Sequence, residues 1–318
     1  MRYLVYGAGA VGGVIGGNLA RVGHDVTLLA RGPHLAALRT GGLRLDTPDG
    51  VLTLPVPAVA SAAEATWTDD TAVLLCVKSQ DTGAALADLV DHAPADTIVV
   101  SCQNGVANEA EILRRFARTY AVPVLLPATH LEPGLVVQDA ATAPGALDIG
   151  RFPHGRDEVT AALHADLRAA GFLGSEREDV MAWKRRKLVS NLGNALDAAV
   201  RPGAGFDELA ERATAEGEQV LAATGLTVAT AEQDIANRDG MVLRTDVARA
   251  GGSTRQSLTR GTGVETDFLT GEIVLLGRLH GVPTPVNELL QRVVHELVRV
   301  GGEPGSVDAE KLLADLGR

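Results

Sequence analysis

Arg2-Tyr3-Leu4-Val5-Tyr6-Gly7-Ala8-Gly9-Ala10-Val11-Gly12 is the stretch that decides the fold. Its first five residues read as a short apolar strand, and glycines spaced G-x-G-x-x-G follow at once. A helical pattern runs on to about Val22, Gly23-His24-Asp25 turns the chain, and Val26-Thr27-Leu28-Leu29-Ala30 reads as a second buried strand. Strand, glycine motif, helix and strand within about thirty residues form the fingerprint of a dinucleotide-binding unit. Gly7 permits the tight turn, Gly9 lets the backbone approach a pyrophosphate, and Gly12 lets helix and strand pack closely. The helix N-terminus adds the partial positive charge that a phosphate favours. Gly7, Ala8, Gly9, Ala10, Val11 and Gly12 are therefore the expected cofactor-binding loop. The bland alternative is a glycine-rich turn without a ligand.

The end of the second strand chooses the dinucleotide. An NAD site has an acid there to hold the ribose 2′-hydroxyl. This chain has Arg31, with no acid until Asp46. A guanidinium suits a 2′-phosphate, so the expected cofactor is NADPH/NADP+; the alternative is a solvated loop arginine.

Further along, Leu43 to Leu54 alternates around Thr47-Pro48-Asp49-Gly50 and reads as a hairpin. Thr71 to Val77 and Ile98 to Cys102 read as buried strands, the first ending at Lys78 and the second at Gln103-Asn104-Gly105. Ligands of an open parallel sheet sit at the carboxyl ends of its strands, which makes Lys78 and Asn104 candidates for cofactor or substrate contact. Val122 to Thr129 reads as one more strand, Leu135-Val136-Val137 with Ala146 to Gly150 as an antiparallel pair, and Glu158 to Ala170 as a helix. Charge rises and strand signals stop near Ser175-Glu176. The expectation is a Rossmann-type NADP-binding domain over residues 1–175 and a helical domain over residues 176–318.

Composition narrows the classes. With 318 residues the chain is long enough for two cored domains. A net charge of -11 argues against nucleic acid or an anionic membrane as partner, since both select basic surfaces. No run reaches the ~20 apolar residues of a membrane helix. A strand beginning at Arg2 leaves no signal peptide to read, and the two cysteines, Cys76 and Cys102, lie in apolar strand-like runs. The expected compartment is the cytoplasm. The eight histidines show no H-E-x-x-H spacing, so no metal site is expected.

Chemistry in the second half centres on Trp183-Lys184-Arg185-Arg186-Lys187-Leu188-Val189-Ser190-Asn191-Leu192-Gly193-Asn194, which reads as one helix. Lys187, Asn191 and Asn194 fall at i, i+4 and i+7 and share a face. An ammonium above two carboxamides is a poor core face, and it suits a substrate bearing a carbonyl and a carboxylate. The bland reading is a solvated basic cluster of Lys184, Arg185, Arg186 and Lys187. Only four lysines occur against twenty-five arginines, which hints that lysine is kept where a compact, titratable amine is wanted. Ser253 opens a helical stretch. Glu265 follows the glycine break at Gly261 and Gly263, where helix-dipole compensation would also explain an acid.

Together these residues resemble the ketopantoate reductase (2-dehydropantoate 2-reductase) family. The resemblance covers nearly the whole chain in order: Gly7-x-Gly9-x-x-Gly12, Arg31, Lys78, Asn104-Gly105, Lys187-x-x-x-Asn191, Ser253, then Glu265-x-Asp267-x-Leu269-x-Gly271-Glu272 and Gly281-Val282-Pro283-Thr284-Pro285-Val286-Asn287. It implies an α/β fold, with a Rossmann-type domain followed by an all-helical C-terminal domain (6-phosphogluconate dehydrogenase C-terminal-like) and the active site between them. It also implies NADPH-dependent reduction of a 2-oxo acid, ketopantoate to pantoate in pantothenate biosynthesis, by a homodimer.

Under that resemblance Lys187 is the catalytic lysine that protonates the carbonyl oxygen, and Glu265 holds the substrate hydroxyl. Ser253 lies near the substrate carboxylate, Asn104, Asn191 and Asn194 line the cleft, and Arg31 and Lys78 bind the cofactor. Burial would lower the amine's pKa and a neighbouring carboxylate would raise it, so the pair would titrate together. Three positions depart from the family pattern. Asn194 follows Asn191 after two residues rather than three, Ser257 stands where aspartate is common, and Ala107 replaces a glycine. The competing readings are a related NADPH-dependent reductase of another 2-oxo acid, ketone or imine, and a non-catalytic NADPH-binding sensor.

Overall fold

β1 (Arg2–Tyr6) leads through the glycine motif into α1 (Ala10–Arg21) and returns along β2 (Asp25–Leu29). The two strands pair in parallel from Arg2↔Asp25 to Tyr6↔Leu29. This is the unit read from the sequence, and the first half of the chain is built around it. The computed structural model describes residues 1–247 and 251–317. After α2 (Gly32–Gly41) comes the hairpin of β3 (Leu43–Thr47) and β4 (Gly50–Leu54), paired from Leu43↔Leu54 to Thr47↔Gly50. Then follow β5 (Ala58–Val59), β6 (Thr71–Leu75), α3 (Thr82–His92), β7 (Ile98–Ser101), α4 (Asn108–Leu113) and β8 (Thr119–Ala121).

Two sequence expectations change here. The strand expected over Val122 to Thr129 is split into β9 (Val124–Leu125) and β10 (Ala128–Thr129). Pro123 and Pro127 lack the N–H that a continuous ladder needs. The antiparallel pair expected between Leu135-Val136-Val137 and Ala146 to Gly150 does not form. β11 (Leu135–Gln138) pairs with β10 and β3, β12 (Ala146–Leu147) with β9, and β13 (Gly150–Arg151) with β8. Alternation marks a strand without naming its neighbour.

The main sheet runs β13-β8-β7-β6-β1-β2-β5, parallel except at β13. Alternate residues of β1 serve opposite faces, as the strand period requires. Tyr3 and Val5 join Ile15 and Leu19 of α1 and Leu163 of α5 (Glu158–Ala169). Leu4 and Tyr6 join Leu86 and Leu89 of α3 on the other side. Each such buried aliphatic side chain contributes about 1.5–3 kcal/mol. At Gly12 a Cβ would lie 2.2 Å from the Gly7 carbonyl oxygen, so only glycine lets α1 approach the sheet this closely.

The first compact unit comprises Met1–Lys184 and the described part of Thr230–Arg249; the second comprises Arg185–Ala229 and the described part of Ala250–Arg318. The rise in charge at Ser175-Glu176 precedes this division, which falls inside α6 (Val180–Asn191). The return of α9 (Ala231–Asn237) and the residues after it to the first unit has a polar cause. Asn237 Nδ2 donates to the buried Asp148 at 2.8 Å, Arg177 donates to Asn237 Oδ1 at 2.8 Å, and Arg244 binds Asp46 at 2.9 Å.

The second unit is helical: α7 (Gly193–Ala199), α8 (Phe206–Thr224), α10 (Ser253–Thr259), α11 (Thr270–His280), α12 (Pro285–Val300) and α13 (Ala309–Leu316). Leu196, Leu209, Val286, Leu290, Val294 and Leu312 form its core. Pro285 takes the first helical position of α12, where its missing N–H costs nothing. The orphan N–H groups behind it are met from α8. Glu216, almost fully buried, accepts from Val286 N (2.8 Å), Asn287 N (2.9 Å) and Asn287 Nδ2 (2.8 Å). A carboxylate there also complements the helix dipole. Glu216→Ala should therefore destabilise the protein by about 3 kcal/mol, because it strands three buried donors. A urea midpoint shift well below that, with unchanged slope, would refute the cap.

Candidate active site

The nucleotide half is set by the loop after β1. Gly7 has a φ of +104°, and a Cβ there would lie 2.9 Å from Val77 N, so the loop presses against the next strand end. At Gly9 a Cβ would meet nothing within 4 Å among the described residues. The loop is thus closed toward the sheet and open where a pyrophosphate must approach, and these residues fit a dinucleotide. His34 braces it from α2. The Gly134 N–H donates to His34 Nδ1 at 2.9 Å, so the proton sits on Nε2, which donates to the Ala8 carbonyl at 2.7 Å. Burial, then the His130 ring at 4.3 Å, pushes this imidazole below the ordinary histidine range. Arg31, two residues past β2 and capping the start of α2, has its side chain 73% exposed, and its guanidinium lies 3.7 Å from Asp81.

Lys78 and Asn104 stand at the ends of β6 and β7, where the topology predicts ligand contacts. A buried polar lattice ties the two strand ends together. Gln103 Nε2 donates to Val77 O at 2.9 Å and Thr82 Oγ1 at 2.8 Å. Asn108 Nδ2 donates to Ser79 Oγ at 3.1 Å and Asn104 O at 3.2 Å, and its Oδ1 accepts from Thr82 Oγ1 at 2.9 Å. Lys184 completes the lattice. Its ammonium is paired with Glu109, donates to Gln103 O at 2.8 Å, and reaches Ser101 Oγ at 3.4 Å.

The second unit holds Lys187, Asn191, Asn194, Ser253 and Glu265. Lys187 is half-buried on α6 and Asn191 is buried one turn later. Asn194 is not on the same helix, because α6 ends at Asn191 and α7 starts at Gly193. Leu192 N bonds Val189 O at 3.1 Å in a tightened turn, so the single face drawn through all three residues stops at Asn191. Asn194 is instead brought to α10, its Nδ2 3.5 Å from Ser253 Oγ. Asp197 of α7 fixes the start of that helix, accepting from Gly252 N at 2.8 Å. Ser257 spends its hydroxyl within α10, donating to Ser253 O at 2.8 Å.

Glu265 is half-buried and precedes the short turn Thr266–Phe268. That turn is tied to α12, since Gln291 Nε2 lies 2.7 Å from Asp267 Oδ1 and His295 Nε2 makes a second 2.7 Å contact with it. Burial raises the carboxyl pKa of Glu272, in the first turn of α11. Among the described residues no group of three or more His, Cys, Asp or Glu could hold a metal ion, and no helix is long and apolar enough to cross a membrane.

The basic run is not a solvated face. Lys184 is only 2% exposed. Arg185 donates to Thr227 O at 2.7 Å, while Arg186 pairs with Glu218 and donates to Ala229 O at 2.6 Å. Gln103, Asn108, Glu109, His34 and the interior role of Lys184 carry no recognisable motif. The one available signal was four polar residues, Gln103, Asn104, Asn108 and Glu109, straight after an apolar strand, which is unusual unless they bond one another.

Two family models cover most of the chain. One described as Ketopantoate reductase PanE/ApbA matches residues 3–154, and one described as Ketopantoate reductase PanE/ApbA C terminal matches residues 179–298. The chain is similar to a 2-dehydropantoate 2-reductase of Halobacterium salinarum, 30% identical over 316 residues, covering 96% of this chain and 100% of that one. A 2-dehydropantoate 2-reductase of Pyrococcus horikoshii is 29% identical over 311 residues, covering 95% and 99%. The solved structure of a PanE/ApbA family ketopantoate reductase from Ralstonia eutropha JMP134 superposes with a TM-score of 0.80 at 31% identity, covering 95% of this chain and 99% of that one.

Proposed function

The chain belongs to the ketopantoate reductase family, and from that premise we propose that it reduces 2-dehydropantoate to pantoate with NADPH. The observation that carries this reading is the end-to-end match: both family models, and relatives of the same activity over nearly their full length. When bound, NADPH supplies a hydride to the carbonyl carbon. Gly7 to Gly12 and Arg31 would hold the pyrophosphate and the 2′-phosphate, with Lys78 as a second cation and Asn104 at the strand end beside it. Lys187 carries the proton that the carbonyl oxygen needs, and its positive charge stabilises the oxyanion as it develops. Glu265 accepts a hydrogen bond from the hydroxyl that forms. Ser253 and Asn194, already side by side, present donors to the substrate carboxylate, and Asn191 orients the ketone. A homodimer, readable by sedimentation velocity, belongs to the same proposal.

NADPH oxidation with ketopantoate, run beside a panel of 2-oxo acids, tests the reading. Ketopantoate should give the highest kcat/KM. A different winner would favour the related-reductase reading, which draws support from the displaced Asn194 and the inward-bonded Ser257. NADPH binding with no turnover on any of them would leave only a sensor.

Arg31 makes a separate prediction. Its surface ion pair with Asp81 is worth little, so the guanidinium is easily surrendered to a 2′-phosphate. Arg31→Ala should raise the KM for NADPH about 10- to 100-fold, the worth of a charge-assisted contact, and leave that for NADH almost unchanged. Equal changes for both cofactors would remove Arg31 from the phosphate site.

A further inference from the structure

We infer that Lys184 is a positioning residue for Asn104, acting through the Gln103–Asn104 peptide. The inference rests on the proposed role of Asn104 in the site. Its grounds lie wholly within the first unit. Three acceptors surround the Lys184 ammonium, and one of them, Gln103 O, belongs to the peptide that joins Gln103 to Asn104. The other end of Asn104 is fixed as well, because its own carbonyl accepts from Asn108 Nδ2 at 3.2 Å and lies 3.5 Å from Ser79 Oγ. Gln103 cannot swivel to compensate, since its side chain is bonded to Val77 O and Thr82 Oγ1. The backbone of Asn104 is therefore held on both sides, and the donor on the Gln103 side comes from one buried amine on a distant helix.

The chemistry of that amine suits the task. A lysine brings three donors on a flexible stem and can serve a carbonyl, a hydroxyl and a carboxylate at once. A bare structural ion pair would need only Glu109. Spending a proton on Gln103 O, the carbonyl directly before a strand-end residue, links the pair to the place where ligands of such a sheet are held. Loss of that donor lets the peptide rotate, and small displacements of a contacting group carry large rate penalties.

The test compares the Lys184→Met/Glu109→Leu double variant with Asn104→Ala and with both changes combined, reading thermal stability, NADPH affinity by fluorescence, kcat and KM. A well-packed apolar pair should restore stability. The double variant should nonetheless keep a kcat/KM about 10- to 100-fold below wild type. Adding Asn104→Ala should then cost much less than it does alone, because two changes acting on one contact do not add. A stable double variant with wild-type kinetics, or full additivity with Asn104→Ala, overturns the inference. Should the double variant fail to fold, Lys184→Met is compared with Leu89→Ala, a core truncation at the far end of α3, with both held well below their unfolding temperatures. A kinetic defect confined to Lys184→Met supports positioning, and an equal defect in both overturns it. An Asn104→Ala variant with normal kinetics would instead sink the underlying assignment of Asn104.

Discussion

Replacing Lys187 with alanine should lower kcat about 10²–10⁴-fold, the usual cost of losing a general acid. That range corresponds to about 2.7–5.4 kcal/mol of transition-state stabilisation. Lys187 is half-buried, one turn from Asn191, and the core of α6 beside it is carried by the buried Leu188 and Val189. Circular dichroism and the urea midpoint should thus stay close to wild type while turnover collapses. Lys187→Arg should fail nearly as badly, because a guanidinium keeps the positive charge and yields no proton near neutral pH. This comparison separates proton donation from charge alone. A Lys187→Arg variant with wild-type kcat would mean that the charge suffices and another group supplies the proton. A Lys187→Ala variant retaining more than about a tenth of kcat on every 2-oxo acid would remove Lys187 from the chemistry altogether. Glu265→Gln adds a second readout. If amine and carboxylate titrate as a couple, the pH–rate profile should lose one limb or move it, whereas a carboxylate that only compensates a helix end would leave the profile in place.

The sequence made the nucleotide half legible because its signals are local. The run Arg2 to Ala30 carries strand period, glycine spacing and helix period in succession, and each element forms with only its sequence neighbours specified. The ends at Lys78 and Asn104 followed from the same topology. Pairing was harder to read. Leu135-Val136-Val137 reads as one member of an antiparallel pair with Ala146 to Gly150, but β11 joins β3 from nearly a hundred residues earlier, and no local pattern encodes such a partner. The basic run failed for a related reason. Lys184, Arg185, Arg186 and Lys187 have similar side chains, yet one enters the interior, two bind backbone carbonyls and one stays half-buried. Which fate a charge meets depends on where Glu109 and Glu218 come to lie, and helix periodicity is blind to that. Asn194 shows the limit of face arguments, since one tightened turn at Leu192 is enough to redirect it toward Ser253.

Lys184 carries the second large expectation, and it concerns stability. Lys184→Ala should destabilise the protein by about 3–5 kcal/mol, the usual result of deleting one member of a buried ion pair. The penalty comes chiefly from what remains. Glu109 is fully buried, and among the described residues its Oε2 meets no hydrogen-bond partner even with the lysine present. Without the ammonium its carboxylate would be a bare charge in the interior, and Gln103 O and Ser101 Oγ would lose a donor at the same moment. Domains hold only about 5–15 kcal/mol in total, so this single substitution removes about a fifth of the margin or more. Lys184→Met/Glu109→Leu removes both charges and should recover most of the loss. Urea titrations of wild type, Lys184→Ala and the double variant distinguish the possibilities. A loss below about 1 kcal/mol for Lys184→Ala would mean that water reaches Glu109 and that Lys184 anchors nothing.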